Sequence, residues 1–210
     1  MAEDILKCGF EFPRKVYVLG SGPKGNEHIG RINKGYFVIA VNQAIDIEGV
    51  HKSIWLCADR TLPDKQWFRN AADELIKSNH PLDDVESPTP VFDSGYLLEQ
   101  YPDVPYTFDH GRSITKPPYR PEPGVLRGGG TIACQAVQLA YWLGARRIIL
   151  CGVDMMGDRY FDGGHTDNLQ TKFGKTWQAT KWFNLVIYNL DRMGCKVSSL
   201  SETKLKVPIK

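Results

Sequence analysis

Two rhythms of apolar and polar positions alternate along the chain. Unbroken apolar runs rich in β-branched residues fall at 16–19 (VYVL), 37–41 (FVIAV), 54–57 (IWLC) and 148–151 (IILC), with a more polar one at 197–200 (VSSL). Runs this short and this uniformly apolar predict strands buried on both faces, as in a parallel sheet. Between them the spacing changes to three and four. Trp67, Phe68, Ala71, Ala72, Leu75 and Ile76 share one helical face, and Ile132, Ala136, Leu139, Ala140 and Leu143 share another. A third helix carries Phe183, Val186, Ile187, Leu190 and Met193, with Gly194 placed to end it. Strands alternating with helices predict an α/β fold built on an open, doubly wound, mostly parallel sheet. No internal repeat is visible.

Composition bounds this picture. With 210 residues, 42% hydrophobic and 24% charged, the chain is long enough for one domain with a substantial core, and 1–210 is expected to form a single unit. Nine of the thirteen prolines lie between Pro81 and Pro123, so 79–126 is expected to leave the sheet as an irregular Pro-rich insertion. It would serve either as an ordered surface connection or as a lid. The opening MAEDILKCGFEF lacks a signal-peptide core and no later run is long enough to cross a bilayer, so a cytoplasmic protein with no membrane span is expected. Cys8, Cys57, Cys134, Cys151 and Cys195 have no metal-binding spacing and mostly sit in apolar runs, which predicts buried reduced thiols. A net charge of +2 leaves a nucleic-acid partner open.

In a doubly wound sheet ligands bind beyond the carboxyl ends of the strands, so the residues after each apolar run carry the chemistry. The first run is followed by GSGPKG at 20–25, which fits G-x-G-x-x-G, a turn whose glycines let backbone approach phosphate. Dinucleotide binding also wants an acidic residue after the second strand; Asn42 stands there, and Pro23 interrupts the turn. Nucleotide binding survives this test better than NAD binding does. Asp59 follows the third run. The stretch RGGGT places three glycines before a helix whose unpaired N–H groups attract anions, with Thr131 to cap it or bond a ligand and Arg127 to add charge. The same glycines would also suit close helix packing. After the fourth run, GVDMMGDRYFDGGHTDN offers Asp154, Asp158, Tyr160, Asp162, His165 and Asp167. His165 is a natural general base near neutral pH, and the carboxylates could instead hold Mg²⁺.

The stretches LGSGP, AVNQA and LGARRIILCGVDMMGDRYFDGGH together resemble the bacterial sialyltransferases that use CMP-sialic acid. They also resemble the related family named for 6-hydroxymethylpterin diphosphokinase, to which GGGTIACQAVQLAYWLGARRIIL is the more similar. The first resemblance implies a single Rossmann-like domain and a transferase that moves a group from a nucleotide-activated donor to an acceptor hydroxyl, with no cofactor. Ser21, Gly22, Asn42, Asp59, Arg127, Gly129, Gly130, Thr131 and Asp154 would contact the donor, His165 would be the base, and Tyr160 would steady the departing phosphate. Met156 stands where that family has a further tyrosine, Ser21 and Asp59 stand where it has asparagines, and His165 arrives sooner. The second resemblance implies pyrophosphoryl transfer from ATP, with Mg²⁺ on the acidic loop and Trp55 or Trp177 either stacking on a pterin or buried in the core. A non-catalytic nucleotide-binding module is the third reading. The acceptor, whether glycan, metabolite or modified base, and a homo-oligomeric state are left open.

Overall fold

The computed structural model describes residues 2–32, 35–78, 87–111, 125–128, 130–155 and 172–210. Strands β1 (Glu3–Asp4), β2 (Lys15–Leu19), β3 (Phe37–Val41), β4 (Ile54–Cys57), β5 (Thr89–Asp93) and β6 (Tyr106–Phe108) join the later β9 (Arg147–Cys151) and β10 (Lys196–Ser199) in one eight-stranded sheet. Its order is β1-β6-β5-β4-β3-β2-β9-β10, and every pairing in it is parallel. A separate parallel pair joins β7 (His110–Gly111) to β8 (Leu126–Arg127). The helices are α1 (Gly25–His28), α2 (Gln66–Ser78), α3 (Tyr96–Gln100), α4 (Ile132–Trp142) and α5 (Lys172–Arg192).

The five apolar runs become β2, β3, β4, β9 and β10, each within a residue of its expected limits. Their uniform apolarity has a simple cause, since both faces of the sheet are covered. Val16, Val18, Ile39, Val41, Ile54, Leu56, Ile148 and Leu150 point to one face, where α4 and α5 pack with Phe183, Val186 and Leu190. Tyr17, Leu19, Val38, Ala40, Ile149 and Cys151 point to the other. That second face continues into an aromatic cluster of Trp55, Phe68 and Phe92, with Leu97 of α3 fully buried beside it. At the end of α5, Gly194 takes the left-handed conformation (φ +82°) and Cys195 N–H returns to Leu190 C=O, the stop its position predicts.

One expectation needs correction. The described part of 79–126 does not leave the sheet, because β5 and β6 lie within it and α3 packs on β5. Pro90 sits inside β5, paired with Trp55, where a proline ordinarily argues against an interior strand. Burial outweighs that rule here, since all five residues of β5 are buried. Positions 79–86 and 112–124 fall outside the described residues. Among the described residues no helix is long and apolar enough to cross a membrane.

Strands β4-β3-β2-β9-β10 reproduce the doubly wound order in which the chain departs from a central strand in both directions. The reversal falls between β2 and β9, and the parallel pairing brings Leu19 level with Cys151. All the strand-end turns therefore open on one edge. Helix α4 crosses β2, β3 and β4 and enters β9 through the short connection 143–146, so it runs against the strands with its amino end at that edge.

Candidate functional site

The turn after β2 and the turn after β9 are pressed together. Gly20 N–H donates to Cys151 C=O at 2.8 Å and Gly22 N–H to Gly152 C=O at 2.9 Å, so the ladder continues past the strand ends. A Cβ on Gly20 would lie 2.5 Å from the Gly152 carbonyl oxygen, and one on Gly22 2.6 Å from that same oxygen. Gly152 itself is left-handed (φ +67°), and its Cβ would fall 2.7 Å from Gly25 Cα. These glycines are required by the approach of two backbones. Three of the turn's amides, those of Gly20, Gly22 and Gly25, donate to protein carbonyls. Ser21 lies half-buried between them.

Asp154, two residues beyond Gly152, is 3% exposed. Its Oδ2 accepts from Lys24 N–H at 3.2 Å, its Oδ1 from the Ser201 hydroxyl at 3.3 Å, and its backbone carbonyl from Lys204 N–H at 3.0 Å. Thr203 Oγ1 donates to Val153 C=O at 2.8 Å, which lays the segment after β10 along the same turn. Burial raises the Asp154 carboxyl above the ordinary carboxylate value, against the opposing pull of its hydrogen bonds from Lys24 and Ser201.

One strand along, Asn42 follows β3 in the left-handed region (φ 46°), where asparagine is among the better tolerated side chains. Its carbonyl accepts the Trp55 indole N–H at 2.8 Å, and its side-chain Oδ1 is buried without a hydrogen-bond partner. Trp55 is fully buried, so its core role holds and stacking on a ligand does not. Asp59, after β4, is exposed, with Oδ1 accepting from Thr61 N–H (2.9 Å) and Thr61 Oγ1 (3.0 Å). It lies two strand spacings from the β2 turn, on the order of 10 Å. Sequence reasoning missed Asp93, a buried carboxylate at the end of β5 whose Oδ2 accepts from Gly95 N–H, because β5 itself was not predicted.

At the amino end of α4, Thr131 is extended and its Oγ1 accepts from Ala133 N–H at 3.3 Å, the cap its residue type predicts. Gly130 is left-handed (φ +77°), and a Cβ there would come within 2.8 Å of Ala179 Cβ on α5. Close helix packing therefore accounts for this glycine. Arg127 lies in β8, and its backbone is held from the flank of α4. Gln138 Oε1 accepts from Arg127 N–H (3.1 Å) while its Nε2 donates to Arg127 C=O (2.9 Å). Gln135 Nε2 adds a bond to Leu126 C=O. Both glutamines are buried among apolar neighbours, and polar letters at the buried positions of an otherwise apolar helix were the signal that could have revealed them.

Gly129, Met156, Asp158, Tyr160, Asp162, His165 and Asp167 lie outside the described residues, and of Trp177 only its place in α5 is described. Among the described residues no group of three His, Cys, Asp or Glu side chains could hold a metal. The described edge thus brings together Ser21, Gly22 and Asp154 directly, Asn42 one strand away, and Asp59 further along.

No family model matches the chain, and no curated protein matches it. Among solved structures it is similar to the sialyltransferase CstII from Campylobacter jejuni in complex with a substrate analogue, CMP-3FNeuAc. That likeness has 13% identity and a TM-score of 0.52, and covers 90% of this chain and 81% of that one. It is also similar to the monofunctional alpha-2,3-sialyltransferase Cst-I from the same organism, with 14% identity, a TM-score of 0.53, and coverage of 89% and 75%. At such identities the likeness establishes the fold, an α/β sheet with the architecture of those sialyltransferases.

Proposed function

We propose that this protein is a glycosyltransferase-like enzyme that binds a CMP-sugar-like, nucleotide-activated donor at the carboxyl edge of its sheet and transfers the group to an acceptor hydroxyl. The observation that carries the reading is the carboxyl edge of the sheet beside the reversal of strand order, where the β2 turn, Asn42 and the Thr131-capped end of α4 are all placed. The fold likeness to sialyltransferases supports the transferase class, and CMP is the nucleotide in the complex of one of those neighbours. In this reading Asn42 and Ser21 bind the nucleotide. The sequence resemblance assigns His165 as the base for the acceptor hydroxyl and Tyr160 to the leaving phosphate.

A thermal-shift panel of CMP, UMP, ADP, ATP and NAD, each with and without Mg²⁺, tests the donor. Stabilisation by CMP without metal is expected; stabilisation by ATP only with Mg²⁺ would replace this reading with pyrophosphoryl transfer. His165→Ala is then expected to lower turnover about 100-fold or more while leaving CMP affinity nearly unchanged. Unchanged turnover would remove His165 from the chemistry.

A further inference from the structure

We infer that Asp154 is a positioning residue: its buried carboxyl straps the glycine turn after β2 to the segment after β10, and so fixes that turn at the carboxyl edge of the sheet. This rests on the nucleotide reading only for its effect on binding. The geometry is independent of any ligand. Asp154 joins its own turn to two segments distant in sequence, through Lys24 N–H on one oxygen, and through the Ser201 hydroxyl on the other oxygen and Lys204 N–H on its backbone carbonyl. Gly22 lies directly against it, since a Cβ there would fall 2.5 Å from Oδ2. A side chain 3% exposed, with both oxygens engaged by protein donors, has no face left for a donor nucleotide. Ser201 is 1% exposed and its own N–H returns to Ser199 Oγ, so the second anchor is as fixed as the first.

Neither donor to Asp154 is a cation. The strap therefore needs shape and an acceptor oxygen for Lys24 more than it needs charge. An asparagine can supply both, with Oδ1 toward Lys24 N–H and Nδ2 donating to the Ser201 hydroxyl, which can accept as well as donate.

Hydrogen exchange and CMP titration on the full chain test this with Asp154→Ala, Asp154→Asn and Ser201→Ala. Asp154→Ala is expected to speed amide exchange in 20–25 and 201–206 about fivefold or more, the factor that one lost hydrogen bond corresponds to. Ser201→Ala should do so mainly in 201–206. Asp154→Asn should restore wild-type exchange and hold CMP affinity within about threefold. Exchange unchanged at 20–25 in Asp154→Ala, or at 201–206 in Ser201→Ala, would overturn the inference. Loss of CMP binding in Asp154→Asn with wild-type exchange would also overturn it, by making the carboxylate a direct ligand. If wild-type protein ignores CMP, the nucleotide reading fails while the exchange pattern still decides the positioning role. Should Asp154→Ala fail to fold, the Asn and Ser201 variants carry the decision.

Discussion

Replacing Gly130 with alanine separates the two explanations of the glycine-rich turn before α4. Two effects add at this position. An L-residue at φ +77° meets its own carbonyl, which costs about 1–2 kcal/mol. The new Cβ would stand 2.8 Å from Ala179 Cβ. Carbon pairs prefer roughly 3.5–4.0 Å, so about 1 Å must be recovered by moving α5 or the turn. Overpacking of this kind costs about 1–3 kcal/mol, and because Gly130 is exposed the lower part of that range applies. The sum is about 2–4 kcal/mol, or roughly 4–16 °C in Tm for a chain of this length.

Urea unfolding of the wild type, Gly130→Ala, Ala179→Gly and the double variant resolves the parts. Alone, Ala179→Gly should cost about 1 kcal/mol from helix propensity. In the Gly130→Ala background it removes the clash, so the pair should couple by about 1–2 kcal/mol, while the backbone share remains. A Gly130→Ala protein within about 0.5 kcal/mol of wild type, or a cycle that adds without coupling, would refute the packing account. The triglycine turn would then be free to serve a ligand alone.

Burial raises the Asp154 carboxyl above 3.8, with Lys24 and Glu27 as the charged groups around it. As pH rises from about 4, the unfolded chain releases this proton first. Stability from this group is therefore greatest below the unfolded value and declines as pH climbs toward the folded one. Asp154→Asn should remove that decline when urea midpoints are compared across this range, and parallel profiles would refute it. Gln138→Leu removes both hydrogen bonds to the Arg127 backbone and should cost about 2–3 kcal/mol in chemical denaturation, whereas a change below about 0.5 kcal/mol would show β8 to be held by other means. Burial pushes the Cys151 thiol up to about 12 and the Cys195 thiol up to about 11, and raises the Cys57 thiol well above its ordinary value. In native protein at pH 8, iodoacetamide mapping should find Cys8 modified well before these three, and early labelling of Cys57 would contradict its burial.

What could be read from the sequence follows from which effects are local. The strands β2, β3, β4 and β9 are legible because burial on both faces leaves uninterrupted apolar letters, and α2, α4 and α5 because one buried face imposes a helical period. Strand β5 is hidden by Pro90 and Asp93, and β6 by having only three residues; both exist because neighbouring strands pair with them, with α3 packed on β5. Thr131 is legible as a cap because capping needs only the residue and its position. The partners of Asp154 are not, because Lys24 and Ser201 reach it from sequence positions 130 and 47 residues away.

The G-x-G-x-x-G turn shows how one pattern can serve two physical requirements. In a pyrophosphate cradle the glycines leave room for ligand and the amides face it. Here the room at Gly20 and Gly22 is taken by the carbonyl of Gly152, and the amides of Gly20, Gly22 and Gly25 are donated to Cys151, Gly152 and Gly22. Neighbouring parallel strands at a switch point send their chains to opposite faces, and the two turns cross where side chains would collide. Glycine at that crossing follows from topology alone. Among the described residues, an anionic ligand of this edge would find its donors elsewhere, on Ser21, on Asn42 or at the amino end of α4. That arrangement suits a single phosphate better than a dinucleotide bridge. Within the ligand panel NAD is accordingly expected to give no stabilisation, and a strong NAD shift would mean that the β2 turn opens to release its amides.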